Sequence, residues 1–327
     1  MLLKGKKNPL LLLGQALQCW WSLRDTRAFA WRDAWRGCSQ WLCPGRWTHQ
    51  RAARRLEQLV RVDSVEPGVT RVVVSDLGLT FFWLGAWHAN AYHVIAQELE
   101  PGHPHHYTTE PIALNRDSLV IDVGACEGLF ACRVLRKALA ARVVAFEPSA
   151  RTVRYLIAAA QANGVADRLR VEQFAVAAQS GCVPWMEGDN PEANRIGASR
   201  GEPVHATVEA TTLDEYCAAH GLQPGPWDLI KVDAEGADLD VLRGAEGILR
   251  DGAPQVAVTT YHVESHAREI WSYLRAVQPA YEFRIKGLWL FGPASFWGGA
   301  RLRPVLLQAA VPLKSRAGWR SKGAAQH

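Results

Sequence analysis

At 327 residues and 36.2 kDa, the chain is long enough to bury a full core and to carry one large domain with extensions. It is 48% apolar and 21% charged, which excludes a disordered or fibrous class. Its seven cysteines, Cys19, Cys38, Cys43, Cys126, Cys132, Cys182 and Cys217, form no C-x-x-C pair, so neither a disulfide framework nor a zinc knuckle is indicated, and a reducing cytoplasm is the expected compartment.

The net charge of +5 hides an asymmetry. Residues 1–61 carry 12 Lys/Arg against 3 acids, residues 301–327 carry 6 against none, and the remainder is net −10 (19 basic, 29 acidic). Basic ends thus flank an acidic body, which argues against nucleic acid as the partner of that body. Lys4, Lys6 and Lys7 precede the run Pro9–Leu13 in the manner of a signal-peptide opening. Gln15 and Gln18 interrupt the run, no small-x-small site follows, and the stretch is shorter than the ~18 residues of a membrane span. No cleaved leader is expected.

Residues 1–69 read as a basic, tryptophan-rich helical extension holding Trp20, Trp21, Trp31, Trp35, Trp41 and Trp47. Trp31, Trp35, Cys38 and Leu42 share a helical face, with Arg27, Arg32 and Arg36 interleaved. Two readings fit: attachment to an anionic membrane surface or a partner protein, or a lid whose tryptophans pack on the core. The lid is the simpler one. Residues 70–109 predict a hairpin, with strands 71–75 and 79–84 about Asp76-Leu-Gly78, then a short helix at 91–99. The histidine loop Gly102-His-Pro-His-His-Tyr107 is expected to be solvent-exposed.

From about residue 110 to 310, strand and helix patterns alternate, which calls for a doubly wound, mostly parallel α/β sheet. Its first unit is Ser118-Leu-Val-Ile-Asp-Val-Gly-Ala-Cys-Glu-Gly128, a strand and glycine turn leading into a helix. The second strand, residues 142–147, ends on Glu147, about 20 residues past the turn, where such folds place a ribose-hydroxyl acceptor. The turn lacks the middle glycine of a dinucleotide fingerprint and carries Glu127 instead. An acidic turn repels phosphate and suits a cationic sulfonium nucleoside, S-adenosylmethionine. NAD is therefore disfavoured.

Further strands are read at 170–176, 208–212, 227–233, 255–262, 281–285 and 305–310, with helices at 152–163, 239–249 and 264–277. Residues 184–203 have loop composition and are expected to shape part of an acceptor pocket. Residues 311–327 read as a basic disordered tail. Ligands of doubly wound sheets sit beyond the strands' carboxyl ends, so Asp122, Glu147, Asp233, Glu235 and His262 are expected on one rim. His262 is the leading general base, since histidine titrates near neutrality, with a purely structural hydrogen bond to its loop as the equal alternative, and Asp233 is the second candidate base. Lys231, Asp233 and Glu235 alternate along an extended chain and are expected to share one face. Asp233, Glu235 and His262 could together hold Mg²⁺, as oxygen-rich sites do, but nothing in the spacing demands a metal.

The segments Val120-Ile-Asp-Val-Gly-Ala-Cys-Glu-Gly128, Phe146-Glu-Pro148, Thr212-Leu-Asp214 and Ile230-Lys-Val-Asp-Ala-Glu-Gly236 together resemble the motif series of FkbM-type methyltransferases. The resemblance spans roughly 110–275. It implies a Rossmann-like class I, S-adenosylmethionine-dependent O-methyltransferase acting on a hydroxylated small molecule or sugar. Asp122, Gly124, Ala125, Cys126, Glu127, Gly128, Glu147 and Pro148 would hold the cofactor, and Lys231, Asp233, Glu235 and His262 would serve catalysis. Two departures stand out: Cys126 where the family usually has Asn, and Asp238 where it commonly has Glu. A non-catalytic descendant using its N-terminus as a scaffold is the alternative of a different class.

Overall fold

A computed structural model describes residues 9–42, 45–87, 91–187, 194–196, 206–291 and 301–316. Most of the predicted 184–203 loop, Lys4, Lys6 and Lys7, the side chains of Trp41, Leu42 and Trp47, and the tail beyond 316 lie outside these residues.

Among the described residues the strands are β1 (Val60–Glu66), β2 (Val69–Val74), β3 (Leu79–Leu84), β4 (Leu119–Val123), β5 (Arg142–Phe146), β6 (Leu169–Glu172), β7 (Ala175–Val176), β8 (Gly181–Met186), β9 (Arg195–Ile196), β10 (Ala206–Thr211), β11 (Leu229–Val232), β12 (Gln255–Thr259), β13 (Glu282–Phe291) and β14 (Arg301–Ala310). The helices are α1 (Pro9–Leu23), α2 (Trp31–Leu42), α3 (Gly45–Leu59), α4 (Ala91–Leu99), α5 (Leu129–Arg136), α6 (Ala150–Ala162), α7 (Leu213–Ala219), α8 (Asp238–Arg243), α9 (Glu246–Gly252), α10 (His266–Val277) and α11 (Leu313–Arg316).

The central sheet runs β13-β14-β12-β11-β4-β5-β6. From β12 to β6 every pairing is parallel, and β14 is antiparallel to both its neighbours. The predicted doubly wound, mostly parallel sheet is present. Its two faces are legible within single strands. Leu119, Ile121 and Val123 of β4 enter one core with Ile230 and Val232, beneath α1, α2 and α7 to α10. Val120 enters the other with Leu229, beneath α3 to α6 and the β1-β2-β3 sheet. Period-two alternation of apolar residues on both sides is what a strand covered by helices on each face requires. Each fully buried Val, Leu or Ile contributes roughly 1.5–3 kcal/mol.

Local sequence sets the boundaries. Ser149 caps α6 by accepting the Thr152 N–H, and Thr212 caps α7 by accepting the Glu215 N–H, each satisfying a donor that the first helical turn leaves free. Asp214 accepts the N–H groups of Gly247 and Ile248 at 2.7 and 2.9 Å, so the Thr212-Leu-Asp214 motif stitches α7 to the start of α9.

Several expectations are corrected. Residues 60–66, placed within the helical extension, form β1 and complete a three-stranded sheet. The predicted strand 170–176 is two: β6 stays in the central sheet, while β7 pairs with β10 in a small sheet ordered β7-β10-β8-β9. The single helix expected over 239–249 breaks at Gly244, where a Cβ would overlap the carbonyl of Ala177. On α2 the buried residues are Ala34, Gly37 and Cys38, whereas Trp31 and Trp35 face solvent. The contact stripe is thus made of small residues. A Cβ on Gly37 would stand 2.6 Å from the Leu288 nitrogen, so its absence lets α2 lie directly on β13. Trp20 is half-buried against the core, whereas Trp21, Trp31 and Trp35 are exposed and do not pack on it as a lid.

Candidate active site

Beyond the carboxyl ends of β4, β5, β11 and β12 lies a cavity of about 800 Å³ lined by Gly124 to Glu127, Phe146 to Pro148, Asp233 to Glu235, Tyr261 and His262. That volume is within the usual range for small-molecule sites. Its position is the one a doubly wound sheet provides for ligands.

The turn after β4 is drawn tight. The N–H groups of Gly124 and Ala125 both donate to the Phe146 carbonyl, at 3.1 and 3.2 Å. Gly124 has φ +72, and a Cβ there would overlap the Asp233 carbonyl oxygen. Only glycine brings these two loops together without strain. Cys126 is also left-handed, with φ +47. Asparagine tolerates that region better than most residues.

Glu147 ends its strand with both carboxylate oxygens fixed: one accepts the Cys126 N–H at 3.1 Å and the other the Ser149 N–H at 3.0 Å. Burial raises its pKa to about 7, against the lowering effect of those two N–H donors. Glu127 is buried as well, and burial pushes its carboxyl up.

Two expected cofactor residues are placed elsewhere. Asp122 is fully buried and outside the cavity lining. It sits beside Lys231 in the β4-β11 register and pairs with its ammonium at 2.9 Å. Lys231 Nζ also donates to the Gly124 carbonyl at 2.7 Å. Burial lowers the lysine's affinity for its proton, but the Asp122 and Asp233 carboxylates outweigh it and the net pKa is raised. Asp122 therefore acts on the turn through Lys231. Gly128 starts α5 with φ +76, where a Cβ would press on Leu156. It shapes the helix entry and does not line the cavity.

Nor do Lys231, Asp233 and Glu235 share an extended face. Strand β11 ends at Val232, and the chain then turns through Glu235 (φ +48) and Gly236. Lys231 is buried within the sheet yet lines the cavity from its floor, while Asp233 and Glu235 reach it from the turn. The turn is organised by Asp238, a fully buried residue that the sequence marks only as a family departure. Its carboxylate accepts the N–H groups of Ala234 and Gly236, at 2.9 and 3.2 Å, and contacts Thr259 Oγ1 at 3.0 Å and His262 Nδ1 at 3.1 Å.

His262 has a side chain only 4% exposed, and its Nε2 stands 3.3 Å from Glu235 and 3.7 Å from Asp233. Burial opposes its charge, yet hydrogen bonds and charges from Asp238 and Glu235 prevail, and its pKa lies well above 6.5. The surrounding carboxylates thus favour its protonated form. Asp238 is held well below the ordinary carboxylate range: burial works against this, and the two histidines beside it overcome burial. Asp233, Asp238 and His262 bring ligand atoms within 4.8 Å of one another, the set from which a divalent cation would be held.

Asp233 accepts the Tyr107 hydroxyl at 2.7 Å and contacts Thr259 Oγ1 at 3.1 Å. Tyr107 closes the histidine loop, which is not solvent-exposed as expected. His105 and His106 are buried, and burial holds both neutral, with pKa values lowered to about 3 and about 4. Lys286 anchors the loop from β13, donating to the Pro101 and His106 carbonyls at 3.2 and 3.1 Å. His105 stacks edge-on against Trp289 and Tyr261, at 5.2 and 5.1 Å between ring centroids. This gives the cavity an aromatic wall that no local sequence signal announced. Glu98 and Arg133 form a second buried ion pair that sequence reasoning missed.

The profile of the methyltransferase FkbM domain matches residues 122–285, half of the chain, including Glu147, Asp233, Glu235 and His262. The chain belongs to the FkbM methyltransferase family. Within it, the chain is 29% identical to the 2-O-methyltransferase NoeI of Sinorhizobium fredii (strain NBRC 101917 / NGR234), over 41% of this chain and 59% of that protein. It is 31% identical to the AMB antimetabolite synthetase AmbE of Pseudomonas aeruginosa, over 43% of this chain and 8% of that one. It thus spans about three-fifths of the first relative and under a tenth of the second. The crystal structure of methyltransferase FkbM from Methylobacillus flagellatus KT is similar at 16% identity and a TM-score of 0.44, covering 80% of this chain and 59% of that one. Among the described residues, no helix is long and apolar enough to cross a membrane.

Proposed function

We propose that the chain transfers a methyl group from S-adenosylmethionine to a hydroxyl of a small molecule or sugar. The observation that carries this reading is Glu147: a strand-terminal carboxylate, held by two backbone N–H groups, facing the same cavity as Asp233. Its oxygens keep lone pairs for two ribose hydroxyls, and the Gly124 turn leaves the space a Cβ would fill. The acidic lining suits a cationic ligand better than a phosphate ester. NoeI, named a 2-O-methyltransferase, is consistent with a hydroxyl acceptor.

S-adenosylmethionine, when bound, supplies an electrophilic methyl group. The chain's residues align the acceptor and take up its proton. Alignment alone contributes several kcal/mol. The carboxylates around His262 favour its protonated form, which has no lone pair to accept a proton. Asp233 takes the role of base, and its Tyr107 hydrogen bond fixes its orientation. Glu235 and His262 hold the loop and set the local charge. The aromatic wall of His105, Tyr261 and Trp289 offers the flat apolar surface on which a sugar ring or similar acceptor packs.

Isotopically methyl-labelled donor, incubated with the full chain and a metabolite extract, is expected to label a hydroxylated product. Asp233→Asn should lower the turnover number by about 10²–10⁴-fold with little change in donor affinity. Unlabelled extracts, or full turnover by Asp233→Asn, would count against the proposal.

A pH dependence follows from Glu147. Ribose hydroxyls donate to its carboxylate, so binding requires the ionised form. With a folded pKa near 7, affinity for S-adenosylhomocysteine should be level above pH 7 and fall by up to about tenfold per unit below it. Glu147→Gln should bind more weakly, by about 10–100-fold for lost charge-assisted hydrogen bonds, and show no such slope. Calorimetry between pH 5.5 and 8.5 (roughly the span over which such a group titrates) reads both effects.

A further inference from the structure

Helices α1 and α2 carry a feature that methyl transfer does not use. On α1, Leu10, Leu17 and Trp21 fall at i, i+7 and i+11, one helical face. Trp21 is 60% exposed and Leu17 45%. On α2, Trp31 and Trp35, one turn apart, are 41% and 49% exposed. The two helices meet through these rings. Trp20 lies 5.6 Å from Trp31 and 6.3 Å from Trp21, and Trp31 lies 6.5 Å from Trp35, all between centroids. The result is a continuous aromatic ridge whose outer members face water.

The charges around the ridge that lack an ion-pair partner among the described residues are basic. Arg24 stacks on Trp21 at 3.4 Å, and Arg27, Arg32 and Arg36 are exposed. The two acids on this segment are already neutralised by the core, Asp25 by Arg268 at 2.6 Å and Asp33 by Arg284 at 3.5 Å. Among the described residues no carboxylate pairs with Arg27, Arg32 or Arg36. The first 61 residues carry 12 basic groups against 3 acids, a balance of +9. The ridge is also firmly mounted. Ala34, Gly37 and Cys38 hold α2 to β13, Cys19 Sγ donates to the Leu302 carbonyl, and Gln15 accepts the Leu302 N–H.

We propose that this ridge docks the protein on an anionic membrane surface, with Trp21, Trp31 and Trp35 in the headgroup layer and Arg24, Arg27, Arg32 and Arg36 against lipid phosphates and carboxylates. Tryptophan is the side chain that favours the membrane–water interface. Arginines whose stems lie along apolar surface keep their charge at the headgroups. The occupant is a lipid surface rather than a protein, because uncompensated arginines spread from the α1–α2 connection along α2 match a diffuse negative potential. This inference is independent of the methyl-transfer chemistry, and its test needs no donor or acceptor.

The experiment is co-sedimentation of the full chain with phosphatidylcholine vesicles, with and without about a third phosphatidylserine, at low and high salt. Wild type should sediment with the anionic vesicles and be released by salt. Trp31→Ala/Trp35→Ala, which alters exposed rings only, and Arg32→Glu/Arg36→Glu should each bind about tenfold or more weakly. Unchanged donor affinity in both variants would show that they remain folded. Three results would overturn the proposal: wild type remaining in the supernatant with anionic vesicles, binding that is insensitive to salt and lipid charge, or variants that sediment as well as wild type.

Discussion

Asp238→Asn is expected to lower the folding free energy by about 3–5 kcal/mol, the usual consequence of removing one partner from a buried charge pair. The substitution is isosteric, so volume does not decide the outcome. One Asp238 oxygen faces the Ala234 N–H and the Thr259 hydroxyl, and the other faces the Gly236 N–H and His262. An amide NH₂ in the second position sets donor against donor and leaves the imidazolium without its main counter-charge. With a total stability of about 5–15 kcal/mol for a typical domain, this single atom exchange should shift the urea midpoint strongly.

The pH dependence of that loss has a definite sign. Asp238 has a depressed folded pKa, so its contribution is present above its unfolded value of 3.8 and disappears as pH falls through the folded one. His262 has a raised folded pKa, so its contribution is complete below 6.5 and disappears as pH rises through the folded value. Both hold between about pH 4 and 6.5. The gap between wild type and Asp238→Asn should be widest there and should narrow on the alkaline side. A gap that is independent of pH would mean that the pair contributes no charge interaction.

Gly124→Ala is expected to abolish cofactor binding, or reduce it by at least about 100-fold. Two effects combine. A left-handed φ costs a residue with a Cβ about 1–2 kcal/mol, and the added carbon overlaps the Asp233 carbonyl. The clash is with backbone, which cannot rotate aside, so the loop bearing Asp233 must move away from the turn. Gly164→Ala is the control. Its φ is +64, yet a Cβ there meets nothing within 4 Å, so it carries the backbone cost alone. The control should bind S-adenosylhomocysteine within a few-fold of wild type. Equal affinities for both variants would show that the close approach at Gly124 is irrelevant to the site.

The sheet and much of its rim could be read from the chain because both are encoded locally. Alternating apolar runs specify strands buried on two faces, and Glu147, Asp233 and Glu235 reach the cavity because each lies at or just past a strand's carboxyl end. Partnerships made across the sheet were not legible. Asp122 meets Lys231 through a strand register 109 positions apart, so a carboxylate that looks exposed in sequence is instead consumed within the fold. The histidine loop misleads for a similar reason. Its composition is polar, but Lys286 and Gln308 hold its carbonyls from two distant strands, and that tertiary context makes burial possible. His262 reads as a base from its intrinsic pKa, and the sequence does not show the carboxylates packed around it that raise that pKa. On α2 the sequence period was correct and the face was not. Small residues, whose signal is weak on hydropathy, won the contact with β13, leaving the tryptophans outside.

The most direct measurement is a calorimetric titration of the full chain, near pH 7.5, with S-adenosylhomocysteine and separately with NAD. The account predicts saturable one-site binding of the thioether nucleoside, lost in Glu147→Ala, and no heat with the dinucleotide. Binding of NAD in place of S-adenosylhomocysteine, or a Glu147→Ala protein that binds as tightly as wild type, would contradict it.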